Sequence, residues 1–438
     1  MGVGLVASPL DGQENTYTLG QFWDQFYEPT ILERFDLLKE WTSVGAHEES
    51  SLKAALQEWF VGLASEDVQS LAQTIQGAVT SEDIDPWERS ISVANIIEMV
   101  KESRADGRGD LLASLYDFWV NGKRVVFARP HPSKYLVELT NNCNLNCVMC
   151  GVGRTPYNPA KTMNLSFFER ACRSDLASAK VIRLNGLGES TIIPNFHSYL
   201  DTVEPLPAEL EIVTNLTTKD DGILRRLIDM DFMVFISCDA ANPELLTRIR
   251  RGLSHERFLE NVRRLSELSA KSSRDPLRTQ IITTLLSSNY GQLPEIVELA
   301  ARNRIGGVIA NMQKGSDGAW MRRSFPDLVE TFRMAQKVAR KLGVQLMVPD
   351  QIEGITVPLD FVASSNHETC PTFREEAFIR YNGDVCPCNM MNPYVYGNLK
   401  RNTMDEILGG APSQLFDYLM ESRSRHPYCR NCYFLRRE

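Results

Sequence analysis

The chain has 438 residues, 43% hydrophobic and 24% charged, with a formal net charge of −9: enough length for two or three folded domains with ordinary cores. Its basic residues fall in short local runs, Arg248 to Arg251, Arg322-Arg323 and Arg436-Arg437, and lack the concentrated positive surface that phosphate backbones require, so no nucleic-acid partner is expected. No apolar run approaches 18 residues and Met1 to Thr18 carries no basic n-region, so no membrane partner, membrane span or signal peptide is expected, and the expected compartment is the cytoplasm.

From about Thr18 to Asn121 the apolar spacing is helical. Ile31, Phe35 and Leu38 share one face, and Leu52, Leu56, Phe60 and Leu63 make a second series. An α-helical accessory domain over residues 1–130 is expected, with Asp106-Gly-Arg-Gly-Asp110 as a turn and Arg129-Pro-His-Pro132 as a linker. Strand patterns then alternate with helical ones: Tyr135–Thr140, Val181–Leu184, Glu211–Val213, Met233–Ile236, Gln280–Leu285, Val308–Ala310 and Gln345–Val348. This alternation predicts an α/β domain over 131–350, a parallel sheet with crossover helices and ligands at the carboxyl ends of its strands. Residues 351–438 are left as a third, cysteine-rich domain.

Directly after the first strand comes Glu138-Leu-Thr-Asn-Asn-Cys-Asn-Leu-Asn-Cys-Val-Met-Cys150, a C-x3-C-x2-C spacing of Cys143, Cys147 and Cys150. Three thiolates on one loop can hold three irons of a 4Fe-4S cube and leave the fourth iron open, whereas a closed structural site normally uses four protein ligands. A zinc knuckle is the competing reading, but zinc sites usually join two separated cysteine pairs. Most of the ten cysteines fall in two short-spaced groups, which favours metal ligation in a reducing compartment over disulfides.

This loop, with its leading strand and Met149 before the last cysteine, resembles the radical S-adenosylmethionine (radical SAM) superfamily. The resemblance implies a partial (β/α)6 TIM-like barrel whose open iron takes the amino and carboxylate groups of S-adenosylmethionine. One electron, from an external donor such as flavodoxin or ferredoxin, then splits the sulfonium to a 5′-deoxyadenosyl radical. Asn185-Gly-Leu-Gly-Glu-Ser190 resembles the family's Gly-Gly-Glu element, with Gly186 and Gly188 giving backbone access to the ammonium and Glu189 complementing its charge. Ser190 stands where relatives usually carry Pro. Asn215, Ser237, Asp239 and Arg250 resemble the strand-end Asn, the Ser-x-Asp near ribose and carboxylate, and an Arg that forks onto the carboxylate. Each alone could equally be a strand-end cap or surface charge. Thr283 to Asn289 resembles the segment flanking adenine.

Near the C-terminus, Cys370, Asn382-Gly383, Cys386-Pro-Cys388, Gly397-Asn-Leu399 and Cys429-Arg-Asn-Cys432 resemble the SPASM/twitch auxiliary-cluster domain. The resemblance implies Cys370, Cys388, Cys429 and Cys432 as ligands of one auxiliary 4Fe-4S cluster with no open iron, and a hairpin at Asn382-Gly383. A zinc site on the same four cysteines is the alternative. Cys238, Cys386 and Cys172 remain outside both sets. Cys172 reads as core; Cys238 and Cys386 are the candidate hydrogen donors, Cys386 also a possible spare ligand.

The function expected from the resemblance is hydrogen abstraction from a carbinol carbon of a small molecule, a sugar- or aminocyclitol-type natural-product intermediate, giving dehydrogenation to a ketone or epimerisation. One alternative is modification of a ribosomal peptide or protein side chain, against which counts the lack of alternating strands for a leader-binding sheet. A second is a non-catalytic iron-sulfur electron-transfer protein. Glu376 and Asp384, near the auxiliary cysteines, are the guesses for a general base.

Overall fold

The computed structural model describes residues 56, 65–80, 86–103, 105–121, 130–153, 156–313, 319–359, 363–364, 370, 372–389, 394–421, 429 and 432. The helical series through Ile31, Phe35 and Leu38, and Leu52, Phe60 and Leu63, lie outside these residues; Leu56 is helical and fully buried.

Seven strands, β1 (Lys134–Val137), β2 (Val181–Arg183), β3 (Glu209–Thr214), β4 (Met233–Ser237), β5 (Thr279–Leu285), β6 (Gly307–Met312) and β7 (Gln345–Val348), lie side by side in chain order. Every neighbouring pair is parallel. The helices α4 (Leu165–Arg173), α5 (Phe196–Val203), α6 (Asp221–Asp229), α7 (Pro243–Ile249), α8 (His255–Lys271), α9 (Leu293–Arg302) and α10 (Phe325–Leu342) lie between them in the chain. This is the mostly parallel α/β sheet of a partial TIM-like barrel, and all seven expected strands are in it.

Local signals explain the starts and faces of these elements. The side chains of Asn164, Asp220, Asn242 and Ser254 each accept from a backbone amide at the start of α4, α6, α7 and α8, the capping that short polar side chains perform. Along α8, Phe258, Val262, Leu265 and Leu268 form the buried stripe that a 3.6-residue period produces. In β1 the alternation separates two faces: Tyr135, Val137 and Leu139 join the main core, while Leu136 packs with Phe378 and Cys386 in a separate cluster. Glu138 lies on the Leu136 face.

The sheet continues past the expected border at residue 350. On the free side of β1 lies β8 (Glu376–Ile379), parallel to it, with Lys134 opposite Glu376 and Val137 opposite Ile379. Antiparallel β9 (Asp384–Cys386) and β10 (Gly397–Asn398) follow. The expected hairpin is present: the Gly383 amide donates to the Arg380 carbonyl at 2.8 Å, and Gly383 has a φ of +96°, where a Cβ would be strained. The C-terminal region closes with α11 (Met404–Gly409) and α12 (Ala411–Glu421).

The accessory region contains α1 (Ser65–Thr80), α2 (Pro86–Glu102) and α3 (Ala105–Trp119). It corrects one expectation: Asp106 to Asp110 forms the first turns of α3. Each Gly in a helix costs only about 1 kcal/mol, which the burial of Leu111, Leu112, Leu115 and Phe118 exceeds at about 1.5–3 kcal/mol per large apolar side chain. The helices lean on the C-terminal region. Phe118 meets Tyr418 of α12 at 5.8 Å between ring centroids, and the Asn95 side chain donates to the Val395 carbonyl at 2.8 Å and accepts from its amide at 3.1 Å. Among the described residues no helix is long and apolar enough to cross a membrane.

Candidate active site

Cys143, Cys147 and Cys150 follow β1 and are each partly exposed, as is Met149 between the last two. Their loop is fastened at both ends. The buried Asn142 side chain donates to the Asn158 carbonyl at 2.9 Å and accepts from its amide at 2.8 Å, and it also donates to the Thr140 and Thr162 hydroxyls. Asn146 and Cys147 pair antiparallel with Arg251 and Arg250, extended by the Val148 amide to the Ile249 carbonyl. Burial, with Glu189 adding to it, pushes the Cys143 thiol up to about 12; burial pushes Cys147 to about 11 despite the opposing Arg250. Such thiols yield their protons on binding metal, which couples assembly to pH.

Two N–H donors reach these sulfurs. Asn215 Nδ2 lies 4.0 Å from Cys143 Sγ and Arg250 Nη1 lies 3.9 Å from Cys147 Sγ. Three thiols in one loop with hydrogen-bond donors against two of them fit the ligation of an iron-sulfur cube, whose potential such donors tune. Among the described residues no three His, Cys, Asp or Glu side chains close around a single metal ion; a cube asks for less, since each thiolate takes its own iron.

The glycine loop after β2 is held against this assembly by contact. A Cβ on Gly188 would lie 2.3 Å from the Thr140 carbonyl oxygen and 2.5 Å from that of Asn142, and one on Gly186 would lie 2.4 Å from Glu138 Cβ. The two glycines therefore serve close approach to β1 and the cysteine loop. Glu189 is 3% exposed. Its Oε1 accepts from the Thr191 and Thr214 hydroxyls at 2.6 and 2.8 Å, and its Oε2 from the Asn215 amide at 2.6 Å. Oε1 also accepts from the Thr191 amide at 3.3 Å. A carboxylate has about four acceptor positions, two per oxygen, so Oε2 keeps one for an ammonium group, the role proposed for Glu189.

Asp239 and Arg250 form a buried ion pair. Asp239 is fully buried and Arg250 is 9% exposed, and Asp239 Oδ2 pairs with Arg250 Nε at 2.7 Å. Asp239 Oδ1 accepts from the Thr284 amide at 2.8 Å. A buried carboxylate demands a counter-charge, and Arg250 supplies it while also reaching Cys147. Ser237, at the end of β4, is partly exposed.

Residues 137–300 match the family profile of the radical SAM superfamily, and residues 370–433 match that of an iron-sulfur cluster-binding domain, SPASM. The chain belongs to the radical SAM superfamily. A 4Fe-4S cluster with S-adenosylmethionine, and an auxiliary 4Fe-4S cluster, are the cofactors of this architecture. The tungsten-containing aldehyde ferredoxin oxidoreductase cofactor-modifying protein of Pyrococcus furiosus is 22% identical over 323 residues, 68% of this chain and 87% of that protein. SuiB of Streptococcus suis bound to S-adenosylmethionine superposes with a TM-score of 0.54 at 15% identity, covering 80% of this chain and 89% of SuiB. Native anSMEcpe with bound S-adenosylmethionine gives 0.50 at 16% identity, over 66% and 84%. At these identities the two structures speak for the fold.

In this radical SAM enzyme the four proposed auxiliary ligands are placed as follows. Cys388 follows β9 and is partly exposed, Cys370 is partly exposed with its sulfur 3.1 Å from Thr372 Oγ1, and Cys429 and Cys432 share one turn closed by the Cys432 amide on the Cys429 carbonyl at 3.3 Å. No disulfide joins any of the ten cysteines. The two candidate hydrogen donors are corrected. Cys238 is 0% exposed and donates to the Ala240 carbonyl, and Cys386 is 0% exposed among Leu136, Phe378 and Val395. Both were singled out as thiols outside the two ligand sets, and packing turns each side chain into the core. The general-base guesses fare no better: Glu376 sits opposite Lys134 at the start of β1, away from the cysteine loop, and both Asp384 oxygens accept from Asn382 and Asn398 at 2.7 Å.

The residues missed in the sequence are braces. Glu138, Asn142 and Asn289 are 0–1% exposed, and Asn289 donates to the Asp239 and Thr284 carbonyls at 2.8 and 2.9 Å. The segment expected to flank adenine thus holds Asp239.

Proposed function

We propose that this radical SAM enzyme removes a hydrogen atom from a carbinol carbon of a sugar- or aminocyclitol-type molecule and completes its dehydrogenation to a ketone. The observation that carries this choice is the burial of every cysteine outside the two ligand sets: Cys172, Cys238 and Cys386 are 2%, 0% and 0% exposed. Epimerisation through a cysteine needs a thiol that reaches the opposite face of the substrate radical, and these three cannot do so without opening the core. Dehydrogenation needs only departure of the hydroxyl proton and one electron. When bound, the first cluster with S-adenosylmethionine supplies a hydrogen-abstracting 5′-deoxyadenosyl radical, and the auxiliary cluster a one-electron acceptor. Cys143, Cys147 and Cys150 would hold the first, with Glu189 and Ser237 beside S-adenosylmethionine; Cys370, Cys388, Cys429 and Cys432 would hold the second.

A second reading is peptide modification. It draws on SuiB bound to its precursor peptide SuiA, which superposes with a TM-score of 0.50 at 14% identity, covering 81% of this chain and 93% of SuiB. The deciding experiment is anaerobic turnover in D2O with a chemical reductant, scoring 5′-deoxyadenosine and product mass on polyols, aminocyclitols and short peptides. A ketone lighter by two hydrogens, formed one to one with 5′-deoxyadenosine, supports dehydrogenation. A stereoisomer carrying one solvent deuterium overturns it for epimerisation, and a modified peptide favours the second reading. Absence of 5′-deoxyadenosine under all conditions would point to an electron-transfer role.

A further inference from the structure

Glu138 stands at the junction of two loops that belong to different cofactor regions. Its Oε1 accepts from the Leu187 amide, in the middle of the glycine loop, at 2.9 Å. Its Oε2 accepts from the Tyr381 amide, in the turn between β8 and β9, at 3.4 Å, with Arg380 Nε 3.9 Å away. The side chain is fully buried, and Gly186 rests directly on its methylenes. Its own amide donates to the Ile379 carbonyl at 2.8 Å. Beyond Tyr381 the turn leads within a few residues to β9 and Cys388.

We propose that Glu138 is a positioning residue that couples the S-adenosylmethionine loop to the auxiliary-cluster hairpin, so that cofactor binding at one is felt at the other. The proposal rests on the reading of Gly186 to Glu189 as the cofactor loop and of Cys388 as an auxiliary ligand. Its physical basis is that one buried carboxyl group accepts backbone donors from both segments. Hydrogen bonds to a charged acceptor are stronger than neutral ones and costly to leave unmade when buried. A shift of Leu187 on ligand binding therefore moves or loosens Tyr381. Burial raises the Glu138 carboxyl, and the neighbouring Arg380 and the two backbone donors oppose the rise.

The test uses the full chain, anaerobically reconstituted. S-adenosylmethionine binding is read from the EPR signal of the reduced first cluster, and hydrogen exchange is followed in peptides covering 376–389 with and without saturating S-adenosylmethionine. In the unaltered chain the ligand should slow exchange in these peptides. Glu138→Gln should raise the dissociation constant about tenfold, about 1.4 kcal/mol, and abolish the hairpin's response even at saturation. Tyr381→Pro approaches from the other side. Tyr381 is the second residue of the Arg380 to Gly383 turn, where proline is accommodated, so the change deletes the donated N–H and spares the glycine loop; Tyr381→Ala controls for the ring. Tyr381→Pro should abolish the response with a smaller effect on affinity, and it decides the matter if Glu138→Gln fails to fold. A hairpin that ignores S-adenosylmethionine in the unaltered chain, or one that still responds in both variants, overturns the coupling. An EPR signal unmoved by S-adenosylmethionine in the unaltered chain is a separate result, which removes the cofactor reading and the proposal with it.

Discussion

The Asp239–Arg250 pair is the most exacting test of how the cluster loop is held. The charges are 2.7 Å apart, so at an effective dielectric of about 20 their attraction is about 6 kcal/mol. Desolvation of both groups offsets much of this, and removing one partner from such a pair costs about 3–5 kcal/mol because the other stays buried. Arg250→Met strands Asp239; Asp239→Asn keeps an acceptor for the Thr284 amide but faces Arg250 with no charge. The double variant leaves no stranded charge, so its loss should fall short of the sum of the singles by at least about 1.5 kcal/mol. Because a chain of several regions does not unfold in one step, the assay is native-state hydrogen exchange in peptides covering 233–251 and 279–285, which reads local opening free energies.

A pH series gives a second signature. Burial raises the Asp239 carboxyl above its ordinary 3.8 while Arg250 opposes the rise. In Arg250→Met that opposition is gone, so the folded chain binds the proton more tightly than the unfolded one. Stability of the variant must then fall as pH climbs above 3.8 towards the raised value, and its deficit should be larger at about pH 8 than at about pH 5. Additivity of the two single changes within about 0.5 kcal/mol, or a deficit that ignores pH, would refute the reasoning.

Three further outcomes follow from the same geometry. Gly188→Ala should drive a methyl into the Thr140 and Asn142 carbonyls and displace the cysteine loop, so that reconstituted iron drops from about eight to about four per chain with loss of 5′-deoxyadenosine; Gly291→Ala, with nothing within 4 Å of the new atom, should change neither. Cys238→Ala and Cys386→Ala should keep product formation and 5′-deoxyadenosine stoichiometry while lowering thermal stability, and loss of turnover with intact clusters would restore a thiol role. For Glu211, burial raises the carboxyl, but Arg183 and Lys134 more than offset this and leave it below its ordinary 4.5; Glu211→Gln should cost about 1–3 kcal/mol near neutral pH. That contribution is present above 4.5 and disappears as pH falls through the lowered value, checked by exchange in β1 to β3 peptides.

What could be read in advance divides along a physical line. The seven strands and the ligand triad Cys143, Cys147 and Cys150 are written in short-range spacing, because alternation and a C-x3-C-x2-C loop are fixed by covalent geometry over a few residues. Less was legible where a residue's surroundings depend on a distant partner. Arg250 carries the charge expected for a cofactor carboxylate, and its pairing with Asp239, eleven residues earlier and on another element, has no local signal. Cys238 and Cys386 were singled out as thiols outside both ligand sets; whether such a thiol faces core or site is decided by packing against distant residues, which no local spacing reveals. Asp106 to Asp110 has the composition of a turn, yet burial further along α3 outweighs it. Glu138 did leave a local trace. It is an acidic residue two positions after Leu136, on the face opposite Tyr135 and Val137, immediately before the cysteine loop. A carboxylate there must be buried by the strand that carries it, and a buried carboxylate must find donors. That argument establishes that Glu138 holds something; only the folded chain, by bringing Leu187 and Tyr381 to its two oxygens, names what it holds.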